Sequence, residues 1–153
     1  MTARRKRLTT WLVITGTTAV LAVGGWWWAY QVSAAFVGTL GVPCDQAARF
    51  VRAAELPAGT RDRQCTTGQW MSISYELDFR APREETEAWL RTSYPEAEFS
   101  PDCLDSDACA SPQLPGHAPV KDEAGRRLAD GVRIELDHED GDVAHVRISG
   151  FTV

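Results

Sequence analysis

The sequence predicts an α+β protein: a single N-terminal transmembrane helix, then a small disulfide-stapled domain with a helix packed on an antiparallel sheet (strand, helix, hairpin). Three observations carry that expectation. No charged side chain stands between Arg7 and Asp45, all four cysteines lie on or beyond residue 44, and two later stretches alternate apolar with polar residues. A long uncharged apolar run reads as a bilayer span, and period-two alternation reads as half-buried strands.

The first element opens with Arg4, Arg5, Lys6 and Arg7, and its apolar run is Trp11–Tyr30. At about 1.5 Å rise per residue, such a helix covers the roughly 30 Å hydrocarbon core. Residues 1–10 are accordingly expected as a basic cytoplasmic tail, 11–30 as the span, 31–43 as a juxtamembrane segment and 44–153 as an extracytoplasmic domain. Four basic residues precede the run and none follows it until Arg49, so the positive-inside bias keeps the N-terminus in the cytoplasm. Trp26, Trp27, Trp28 and Tyr30 read as an interfacial aromatic belt, with Trp11 as the inner counterpart. Val32-Ser33-Ala34 offers a competing reading, a cleaved signal peptide that leaves a secreted protein. The run is longer than the roughly 7–15 residues of a secretory core, which favours the anchor. Pro43 directly before Cys44 is a poor lipidation context. Thr18, Ala22 and Gly25 supply small residues at helix-pairing spacing, a frequent pattern in any apolar helix.

Beyond Arg7 the chain carries all 21 acidic residues but only 12 of the 16 basic ones, a net charge of −9. Phosphate contacts need a basic face, so nucleic acid is excluded as a partner. Of the basic residues only Lys6 and Lys121 are lysines, a skew associated in composition with high-G+C bacteria. Residues 36–153 suffice for one core of ordinary size. Cys44, Cys65, Cys103 and Cys109 form an even set on the side of a membrane where disulfides persist, and four cysteines allow three pairings. Local pairing is simplest, because Cys103 and Cys109 share one Asp/Ser-rich loop and the other two bracket one helical segment. Cys-x₅-Cys spacing in oxidising surroundings does not suit zinc.

Along the outer chain, Ala47, Phe50, Val51 and Ala54 fall on one helical face, which predicts a helix from Asp45 to Leu56 with Pro57 as its stop. Gly59–Gly68 reads as a polar connection. Met71, Ile73, Tyr75, Leu77 and Phe79 alternate with Ser72, Ser74, Glu76, Asp78 and Arg80, the clearest strand in the chain. Pro82 at a first helical position, acidic Glu84, Glu85 and Glu87, then Trp89 and Leu90 before Pro95 predict a second helix on that strand's apolar face. Ser100–Pro119 holds four prolines and a cysteine pair and is expected as an irregular stapled loop. Val132, Ile134 and Leu136, then Val146 and Ile148 around Asp140-Gly141, predict a terminal hairpin. A two-residue turn would set Leu136 against His145. A three-residue loop instead pairs Leu136 with Val146, Ile134 with Ile148, Glu135 with Arg147 and Asp137 with His145.

Catalytic signatures are absent from the sequence: there is no Gly-x-x-x-x-Gly-Lys, Gly-x-Ser-x-Gly or His-Glu-x-x-His. His117 falls in the irregular loop, and the hairpin register sends His138 and His145 to opposite faces. The acidic groups Asp102, Asp105 and Asp107, and Asp137, Glu139, Asp140 and Asp142, lack the spacing of a calcium loop. Trp70 and Tyr94, at element ends, read as core edges before contacts. No cofactor or metal is expected. The sequence therefore points to a membrane-anchored, extracytoplasmic binding or interaction module whose partners are the lipid bilayer and an envelope or membrane protein. Glu76 and Asp78, on the polar strand face, suggest a small carboxylate hydrolase as the alternative from another class.

Overall fold

A computed structural model describes the backbone of every residue except Met1, Gly38, Thr39, Trp70, Asp102 and residues 115–118; it also leaves out the side chains of residues 1–14 and Ala35. The chain divides into two units, Met1–Ala34 and Ala35–Val153.

The first unit is built on α1 (Thr2–Val37), a continuous helix of 36 residues, about 54 Å at 1.5 Å per residue. It runs without a break through the expected tail and span. From Thr15 to Tyr30 every side chain is exposed. Among the described residues, no helix is long and apolar enough to cross a membrane, so the span expected over Trp11–Tyr30 finds no support there. The described side chains of that stretch begin at Thr15, and among them Gly16, Thr17, Thr18, Gly24 and Gly25 add little apolar surface; those of Leu12, Val13 and Ile14 lie outside the described residues.

Among the described residues, the second unit is an antiparallel sheet of six strands with two helices against one face. Its strands are β1 (Leu40–Gly41), β2 (Arg61–Gln69), β3 (Ile73–Pro82), β4 (Ala108–Ala110), β5 (Gly131–Glu139) and β6 (Val143–Phe151), in the order β1-β2-β3-β6-β5-β4. Its helices are α2 (Cys44–Phe50) and α3 (Arg83–Ser93). The hairpin has the register expected of a three-residue loop: Leu136 faces Val146, Ile134 faces Ile148, Glu135 faces Arg147 and Asp137 faces His145. Asp140, Gly141 and Asp142 form that loop, with positive φ at Gly141 and Asp142. β6 then lies between β5 and β3, so Phe79, Val146 and Leu136 form one row across the buried face.

Burial follows the alternation. Leu77, Phe79 and Ala81 of β3, Ala144, Val146 and Ile148 of β6, and Val132, Ile134 and Leu136 of β5 all point into the core. α2 covers this face with Ala47, Ala48 and Phe50, and α3 covers it with Thr86, Trp89 and Leu90. The Phe79 and Trp89 rings meet edge to face at 5.4 Å, and Phe50 and Tyr75 lie 4.3 Å apart. Trp89 Nε1 donates to Glu55 O at 2.8 Å, and Tyr94 Oη donates to Val51 O at 2.9 Å. These bonds satisfy the polar ends of two buried rings and tie the segment after α2 to α3. Burial pushes the Tyr94 hydroxyl well above the usual tyrosine range. At Gly150 close packing requires glycine: a Cβ there would sit 2.7 Å from Val51 Cγ1.

Five expectations change. The first helix stops at Phe50 rather than Leu56, because Ala53 N–H bonds Ala48 O and Arg52 N–H bonds Arg49 O while Arg52 takes φ 60°. That is a Schellman ending with arginine where glycine is usual. Gly59–Gly68 is not a connection: most of it is β2, whose ladder to β3 runs from Arg61 to Gln69 with a bulge between Arg61 and Gln64. Main-chain bonding to a strong neighbour makes a strand of a segment with no apolar alternation. The stapled loop contains a strand, β4, pairing Ala108, Cys109 and Ala110 with Leu136, Glu135 and Ile134. β3 starts at Ile73, which leaves Met71 92% exposed instead of on the apolar face. Pro82 caps α3 from the position just before its first residue.

Candidate functional site

The face of the sheet opposite the helices is covered by charge, and register dictates the pattern. Odd residues of β5 and β6 and even residues of β3 point outward, giving rows Glu76–Ser149–Arg133, Asp78–Arg147–Glu135 and Arg80–His145–Asp137. Opposite signs meet across and along these rows. Arg80 Nε donates to Glu139 Oε1 at 2.9 Å, and His145 Nε2 lies 2.8 Å from Asp78 Oδ1. Arg147 Nη2 reaches Asp137 Oδ2 at 3.0 Å and Glu135 Oε2 at 3.5 Å, and Arg133 Nε donates to Glu135 Oε1 at 3.0 Å. Most of these pairs are part-exposed, so solvent screening keeps the contribution of each small.

Glu76 and Asp78 share this face and line an open recess of about 300 Å³ with Arg133, Glu135, Arg147 and Ser149. Asp78 is taken up by His145, and Glu76 accepts a long bond of 3.4 Å from Thr66 Oγ1. A second cleft, of about 470 Å³, lies beside α2, floored by Ala48, Ala53, Ala54 and Leu56 with Arg49 and Arg63 at the rim. Sequence reasoning missed this cleft, because it is created by the early end of α2 at Arg52.

The hydrogen bond from Arg80 holds the Glu139 carboxyl below its ordinary value of 4.5. A carboxylate with a depressed native pKa contributes stability at neutral pH that is lost as pH falls through the depressed value. Acid unfolding of wild type below about pH 4.5 should therefore be steeper than that of Glu139→Gln. Equal steepness in thermal melts across that range would show that the pair contributes nothing to acid sensitivity.

Both disulfides join the cysteines expected to pair locally, Cys44 with Cys65 and Cys103 with Cys109. Trp26, Trp27, Trp28 and Tyr30 stand on α1, each 62–81% exposed; the side chains of Arg4, Arg5, Lys6 and Arg7 lie outside the described residues. His138 Nδ1 approaches Asp107 Oδ2 at 3.4 Å, while His145 belongs to the outward face, so the hairpin register does separate the two rings. Tyr94 is core. Trp70, Asp102 and His117 lie outside the described residues. Among the described residues, no group of three or more His, Cys, Asp or Glu side chains is placed to hold a metal ion. No protein-family model, no curated protein and no solved structure matches this chain.

Proposed function

We propose that this protein is a single-pass, membrane-anchored interaction module, with its N-terminus in the cytoplasm and residues 44–153 on the extracytoplasmic side of a bacterial envelope, where it captures an envelope or membrane protein. The observation that carries the reading is α1: an uncharged stretch from Thr15 to Tyr30 exposed all round, its tryptophans at 64–81%. An uncharged helix that buries none of these side chains against the protein suits an apolar surrounding, and clustered indoles suit the membrane interface. Two disulfides in a domain of modest size fit an oxidising compartment. The net −9 of the outer part favours a basic protein surface over anionic headgroups. Tethering would present the domain to membrane neighbours at high local concentration.

A reporter fused after Val153 should be active only when exported. Activity in the cytoplasm would overturn the orientation, and a mature chain starting at Ala35 would replace the anchor with a secreted form. A soluble Phe36–Val153 chain should capture its partner, and exchange of Trp11–Tyr30 for an unrelated apolar span should preserve that capture. Loss of capture with a folded domain would move the specificity into the bilayer. The recess beside Glu76 and Asp78 favours a second reading, a carboxylate hydrolase. Turnover by the isolated domain that Glu76→Gln abolishes would establish it.

A further inference from the structure

We propose that the loop closed by Cys103 and Cys109 is a docking finger whose anchor, Leu104, enters a leucine-sized apolar pocket rimmed by basic side chains on a partner protein; this rests on the interaction-module reading above. Leu104 is 96% exposed. A lone exposed leucine is ordinary on a protein surface, but this one is held unusually firmly. The disulfide closes a separation of six residues with the Cα atoms 6.0 Å apart. Ser100 and Cys109 exchange backbone hydrogen bonds of 2.9 and 3.0 Å. Asp107 clasps the end of β5: its N–H donates to Asp137 Oδ1 at 3.1 Å, and its Oδ2 accepts from His138 N–H at 2.8 Å. From the charged face, Arg147 Nη2 donates to Asp105 O at 3.1 Å. The loop is thus fixed to β4, β5 and β6 before any partner arrives, and a pre-ordered loop loses little conformational entropy on binding.

Charge selects among occupants. Asp105, exposed beside Leu104, continues the acidic character of an outer part that carries −9. Anionic headgroups would repel it, and a second copy would bring the same acidic surface. A basic protein surface complements it.

The test places the photoreactive residue p-benzoylphenylalanine at Ser106 of the full chain in its native membrane, with the same residue at Arg63 and at Ser149 as separate controls. The Ser106 chain should crosslink to one protein, at a peptide that carries apolar residues flanked by Arg or Lys. Leu104→Ser and Asp105→Arg should each cut that adduct about tenfold or more, while Met71→Ser leaves it unchanged. Recovery of the Cys103–Cys109 peptide under non-reducing digestion shows that each variant keeps the loop. The finger is overturned by an adduct that survives Leu104→Ser, by adducts only to lipid or to a second copy, or by a partner peptide without basic residues. Protein adducts at Arg63 or Ser149 but not at Ser106 overturn the finger and leave the module reading standing. Absence of adducts at all three positions overturns both.

Discussion

Phe79→Ala should destabilise the outer domain by about 3–5 kcal/mol, the cost typical of removing a large aromatic from a core that cannot collapse around the gap. Phe79 is fully buried. It stands at the β3 end of the row Phe79, Val146, Leu136 and meets the Trp89 ring edge to face at 5.4 Å, so the cavity would open between sheet and α3. Asp78, one residue earlier, points the other way and pairs with a part-exposed histidine. Asp78→Ala should therefore cost about 1 kcal/mol or less. Urea unfolding of the two variants and wild type measures both. Comparable losses would mean that the faces of β3 are wrongly assigned.

Removing the Cys44–Cys65 disulfide by a double alanine substitution should lower stability by about 3 kcal/mol, against about 2 for the Cys103–Cys109 pair. The difference follows from the separations closed, 21 residues against six: the longer loop has more freedom to lose in the unfolded chain. Position in the fold reinforces the order. Cys65 is buried opposite Leu77 in the middle of β2, and Cys44 begins α2, so this bridge ties a short helix to a strand of weak intrinsic preference. The short loop should keep its β4 pairing and the Asp107 clasp when its sulfur bridge is removed, because those contacts are made by other atoms. A larger loss for the Cys103–Cys109 variant in the same urea titration would show that native contacts, and not loop entropy, set the ranking.

Legibility in the sequence depended on whether local chemistry alone could decide a residue's conformation. The hairpin register could be read because only one pairing buries Ile134, Leu136, Val146 and Ile148 together, and that pairing fixed the charged rows on the other face, Glu135 with Arg147 and Asp137 with His145. β3 and α3 could be read for the same reason, and the disulfide pairs from the nearness of their cysteines along the chain. Fold class, core face and the pattern of the candidate charged site were thus determined by periodicity, turn length and spacing.

Tertiary structure decided the rest. Arg61–Gln69 has no apolar alternation and becomes a strand only because β3 offers its open edge, while the bridge from Cys65 to Cys44 ties that strand to α2. The end of α2 at Phe50 rests on a left-handed arginine, Arg52, that no local signal marks, and the cleft beside α2 exists because of it. The recess at Glu76 and Asp78, and the projection of Leu104 from a clasped loop, arise from contacts between strands far apart in sequence. Side-chain preference specifies an element when its own neighbours supply the partners; edges, caps and recesses are specified by partners that only the folded chain brings near.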